Sequence, residues 1–142
     1  MRTGFSLIEV VIVIAILAVL IVIFLPIGLD FYRIYVINNT EDQVIGFLKQ
    51  ARVDAINQKN DSDFGFYHNS NQIVLFEGSS YATRNPDFDL TYFIPNNMSI
   101  TGLQEVVFAK NSGLPSQTGT ITITLDSRIK EITINDEGLI SY

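Results

Sequence analysis

The sequence predicts an α+β chain: a long N-terminal helix, with a transmembrane half and an amphipathic half, packed on an antiparallel β-sheet domain. Three observations carry this. From Val10 to Leu29 no side chain is charged or hydrogen-bonding; twenty residues at about 1.5 Å each span about 30 Å, the depth of a hydrocarbon core. From Ile37 to Ala55 apolar residues recur at helical spacing, and from Phe64 onward the apolar period falls to two.

The apolar run does not read as a cleaved secretory signal. Such a signal has a basic leader, a shorter apolar core and a small-x-small site behind it. Here only Met1-Arg2-Thr3 precedes, and residues 26–32 read Pro-Ile-Gly-Leu-Asp-Phe-Tyr. A plain anchor explains the run but not Glu9, because a carboxylate at the membrane edge is costly unless it reaches the interface or a partner. On its own it reads equally as a glutamate that snorkels to water.

The string Gly4-Phe5-Ser6-Leu7-Ile8-Glu9-Val10-Val11 resembles the prepilin cleavage motif of type IV pilins and type II secretion pseudopilins. The resemblance implies a cut by a membrane prepilin peptidase between Gly4 and Phe5, and N-methylation of Phe5 as the mature N-terminus. It also implies that Glu9 is the retained acid of assembly. Pro26 stands where many family members carry a helix-kinking proline. The leader departs from the family in carrying one Arg and no Lys beside the glycine. The role of Glu9 has a physical basis: cleavage creates a cationic amine on Phe5, and in low dielectric a satisfied pair is tolerated where a lone charge is not. Pairing between neighbouring subunits, as the family implies, makes Glu9 a register pin.

Beyond the membrane run, Pro26 and Gly28 are expected to kink the helix or melt a turn. Ile37, Val44, Leu48, Ala51 and Ala55 then form a stripe, widened by Ile45 and Ile56; Glu41, Asp42, Lys49, Gln50, Asp54 and Gln58 occupy the other face. Asn38-Asn39-Thr40 interrupts the pattern, either bending the helix or capping a second segment near Glu41. The expected divisions are a leader (1–4), an apolar transmembrane helix (5–29), its amphipathic continuation (30–58) and a β-rich globular domain (59–142). Strands are predicted over 64–68 and 72–77 as a hairpin, then over 90–94, 99–102, 105–109, 120–125, 129–135 and 139–141, as one antiparallel sheet.

Phe108, Gly113-Leu114-Pro115, Gly119-Thr120-Ile121-Thr122-Ile123, Ile132-Thr133-Ile134 and Gly138 look like the C-terminal half of the H-type minor pseudopilins (GspH/FimT-like). That likeness covers about residues 105–140 and implies a closing hairpin with a final glycine turn.

Composition narrows the function classes. Cysteine is absent, so no disulfide, thiolate metal site or cysteine nucleophile exists. His68 is the one histidine and reads as an exposed strand-end residue; no nucleophile and orienting acid accompany it in a catalytic pattern. No enzyme activity, cofactor, metal site or small-molecule substrate is expected. The acids of Asp61-Ser62-Asp63 and Asp87-Phe88-Asp89 lack a calcium-loop spacing and read as solvated turns. The net charge is −6, all of it from residue 30 onward, which disfavours nucleic acid as a partner. The expected function is a structural subunit, a minor pilin or pseudopilin, with the alternative of a binding module on the same scaffold, an adhesin or DNA-uptake minor pilin. The expected partners are prepilin peptidase, other pilins or pseudopilins and inner-membrane lipid, with the globular domain on the periplasmic side. Among H-type relatives that bind DNA, C-terminal basic residues do so; here residues 105–142 offer only Lys110, Arg128 and Lys130 against five acids.

Overall fold

The structure, a computed structural model, describes Gly4 and residues 6–142, the Pro26 side chain apart. Helix α1 runs Leu7–Ile56. Its helical backbone continues through Pro26 and Gly28, and through Asn38-Asn39-Thr40. A melted turn at Pro26 would strand backbone amides in a stretch with no polar side chain to satisfy them. At the second point tertiary contacts override local preference: Thr40 is fully buried, and the Asn39 amide donates to the Tyr92 hydroxyl at 3.1 Å. The described chain divides into two compact units, the first ending at Val36 and the second running Ile37–Tyr142.

Within the second unit, Ile37, Val44, Ile45, Leu48, Ala51 and Ala55 are all buried, as the helical stripe predicts. Ile56 departs from it and is exposed. The opposite face departs too, because Glu41 and Asp54 are buried. Each has a cationic partner: Lys130 Nζ lies 2.8 Å from Glu41, and Lys59 Nζ lies 2.9 Å from Asp54, which also accepts from Gln50 at 2.7 Å. The helix ends where Gln58 adopts a left-handed conformation (φ 55°), with Gln58 N–H donating to the Ala55 carbonyl, a helix-terminating geometry usually given to glycine.

Eight strands follow: β1 (Phe64–His68), β2 (Gln72–Glu77), β3 (Leu90–Phe93), β4 (Met98–Gly102), β5 (Glu105–Phe108), β6 (Gly119–Leu125), β7 (Arg128–Ile134) and β8 (Ile140–Ser141). The β1–β2 hairpin pairs Phe66 with Leu75 and His68 with Ile73. The expectation of one sheet is corrected: the strands form two four-stranded antiparallel sheets, β3-β2-β1-β5 and β4-β6-β7-β8. Particular residues mark the crossover. Ile94-Pro95-Asn96-Asn97 carries the chain out of the first sheet, with Pro95 unable to donate to a ladder. Gly102 sits at φ 93°, and a Cβ there would strike the Thr120 carbonyl. Leu103 N–H then bonds that carbonyl, and Gln104 returns the chain beside His68 to begin β5.

The segment that resembles the H-type family closes the C-terminal end of the helix. Phe108 bridges to Pro115, Gly113 N–H donates to Ala109 O at 2.8 Å, and Asn111 N–H satisfies the helix-end carbonyl of Ala55 at 3.1 Å. Arg52 Nη2 donates to the Glu137 carbonyl at 2.9 Å. The outer face of the first sheet is covered by the β2–β3 loop: Tyr81 stacks on Tyr67 at 3.7 Å, and the Arg84 guanidinium lies 3.7 Å from the Tyr81 ring centre on an ion pair with Asp89.

Candidate functional site

Gly4 is an exposed coil residue and Leu7 opens the helix. Ser6 caps it: its carbonyl accepts from Glu9 N–H at 3.1 Å and its hydroxyl oxygen lies 3.3 Å from the same nitrogen. Ser6 and Glu9 thus occupy the first and fourth places of a capping box, a signal already readable as Ser-x-x-Glu and missed by sequence reasoning. Glu9 lies in the first turn, exposed, where the helix dipole favours an anion. Phe5, the expected mature N-terminus, and Met1–Thr3 lie outside the described residues. Gly4, Ser6 and Glu9 therefore meet at one helix start, and Pro26 lies about five turns further along.

The apolar surface that follows is uncovered. Leu17 is 52% exposed and Val22 is 74% exposed, and by length and composition this helix can cross a membrane. At the far end of the run, Phe31, Tyr32 and Tyr35 are exposed around an Asp30–Arg33 pair at 3.7 Å. Aromatic rings beside the first charges are the composition of a membrane–water boundary, a second legible signal missed in the sequence.

The other candidate residues are engaged within the fold. Asp61 pairs with Lys110 at 2.9 Å, and Asp63 accepts from Lys110 N–H at 2.7 Å. Among the described residues no three acid or imidazole side chains converge to hold a metal. His68 is corrected from exposed to buried, at 4% exposure. Burial lowers its pKa from the ordinary 6.5, against a smaller opposing pull from the Leu103 backbone; neither ring nitrogen reaches hydrogen-bond geometry with the protein.

Residues 1–25 match the family model of the prokaryotic N-terminal methylation motif. The N-terminal segment carries this methylation motif. The fold of the chain is similar to that of the minor pseudopilin EpsH from the Type 2 Secretion System of Vibrio cholerae, with a TM-score of 0.57 at 12% identity over 75% of this chain and 94% of that one. Among curated proteins none matches the sequence. Helix α1 holds Glu9 in its first turn, within the matched segment, and its last turns are buried among the strands.

Proposed function

We propose that this chain is a minor pseudopilin, a structural subunit of a type II secretion pseudopilus that assembles through its N-terminal helix. The observation that carries the reading is the methylation motif at residues 1–25 leading into an uncovered apolar helix, on a fold shared with a minor pseudopilin. Prepilin peptidase cuts between Gly4 and Phe5, Phe5 is methylated, and the subunit stays in the inner membrane until its helix is drawn into the filament. Glu9 then neutralises the Phe5 amine of a neighbouring subunit, which places this chain in the body of the filament or just below the tip. Pro26 supplies a point of bending during that transfer. The chain acts by packing and not by catalysis.

The binding-module alternative has less support. DNA uptake would need free cations on the C-terminal half, but Lys110 is paired with Asp61 and Lys130 with Glu41, and Arg128 also has a partner.

Intact-mass measurement of the chain from a host with active prepilin peptidase tests the reading. The expected product lacks Met1–Gly4 and carries one extra methyl group. A mature chain that still begins at Met1 or Arg2 overturns it.

A further inference from the structure

His68 lines a cleft of about 340 Å³ between the tip of the β1–β2 hairpin and β4. The ring is 4% exposed; the Leu103 backbone exerts a small pull on it, but neither nitrogen reaches hydrogen-bond geometry with the protein. Its floor includes Met98 and Ile100, both buried, and its rim carries Asn69, Ser99, Thr101 and Gln104. Both parities of β4 line the cleft, and β4 is an edge of its sheet, so its unpaired backbone edge borders the cleft. Asn69 spends its carbonyl oxygen on the N–H groups of Asn71 and Gln72, which leaves its amide nitrogen as a donor. The cleft thus gathers imidazole, amide and hydroxyl groups on an apolar floor and holds no carboxylate and no other cation.

The ionisable groups on the surrounding elements are committed elsewhere. Glu105 accepts from Tyr81 N–H, Tyr92 accepts from Asn39, Tyr67 stacks on Tyr81, and Glu41 is paired with Lys130. A proton on His68 therefore finds no counter-charge among these groups, while an incoming acceptor anion meets the imidazole and the Asn69 amide with no carboxylate beside them; the Gln104 amide is held by the Tyr67 hydroxyl at 3.4 Å.

We propose that this cleft binds a carboxylate, taken up together with a proton on His68. The carboxylate comes either from a small free acid or from an acidic side chain of a protein partner; the chemistry recognised is the same. Bound, its negative charge stabilises the imidazolium, so the His68 pKa rises on binding. This site is separate from the N-terminal assembly segment, and its test does not depend on filament formation.

Because His68 is the only histidine, full-length chain in neutral detergent micelles, labelled at histidine Cε1, gives one imidazole signal to titrate. Sodium acetate is the first probe and N-acetyl-glutamyl amide the second, with sodium chloride at matched ionic strength as control. The expected result is a saturable rise of the His68 midpoint by about one unit, absent with chloride. Gln104→Glu, which places a carboxylate on the exposed rim, should weaken the acetate response several-fold by repulsion while leaving the amide spectrum of the domain intact. A response to both probes supports a cleft open to a protein side chain, and a response to acetate alone supports a free acid. No rise with either probe, a rise equal to that with chloride, or an undiminished response in Gln104→Glu overturns the proposal.

Discussion

At the residue scale, His68 links burial to pH. Its pKa is lowered in the fold, so below the ordinary value of 6.5 the unfolded chain binds the proton more readily than the folded one. Stability is therefore full above 6.5 and is lost as pH falls from 6.5 through the folded value. Urea midpoints measured at about pH 7.5 and about pH 5 should fall more in the natural chain than in His68→Gln, which removes this titration; equal falls would show that His68 does not contribute. Glu41 shows the same dependence on setting. Its carboxylate is buried against Lys130, which keeps 40% side-chain exposure. Lys130→Ala leaves the acid without its partner, at a cost of about 1–2 kcal/mol, below the range for a fully buried pair because solvent reaches the lysine. Adding Glu41→Gln should recover part of that loss, and a double-mutant cycle from urea unfolding measures it.

At the scale of elements, the amphipathic half of α1 is the core of the globular unit. Leu48 is completely buried in the middle of its apolar stripe. Leu48→Ala should cost about 2–5 kcal/mol in denaturant unfolding, the lost transfer energy plus the cavity left behind. Val53, 48% exposed on the same helix, is the internal control: Val53→Ala should change stability by about 0.5 kcal/mol or less. The sheets constrain the helix from both ends of the sequence, with Tyr92 of β3 holding Asn39 and Tyr142 lying against Lys49.

For the whole molecule, the proposed function gives the apolar run and the globular unit different tasks, and a substitution at Glu9 tests that division. Glu9 lies in the first turn of α1, outside the unit that begins at Ile37. Glu9→Leu should leave folding and membrane level unchanged, since removing a charge from an apolar segment eases insertion. It should severely reduce recovery of the subunit in sheared filaments or crosslinked complexes. Normal recovery would remove the register-pin role from Glu9.

What the sequence determined by itself is whatever rests on near neighbours in the chain. The apolar run, the helical stripe from Ile37 to Ala55, the β1–β2 hairpin and the β6–β7 pair follow from period and turn chemistry, which act over a few residues. The Ser-x-x-Glu cap and the Phe31, Tyr32 and Tyr35 boundary are equally local and legible in the sequence. The tertiary structure alone decided which strands share a sheet, because a period of two fixes the face of a strand and not its neighbour. It alone buried Glu41, Asp54 and His68. Helical spacing placed both acids on the polar face, and burying Glu41 depended on a cation far along the chain, Lys130. His68 ends a strand next to a turn, where exposure is the default. It is covered because the chain leaves the first sheet at Pro95 and brings β4 against the hairpin tip. No local pattern encodes that return, since its cause is the joint packing of two sheets against one helix.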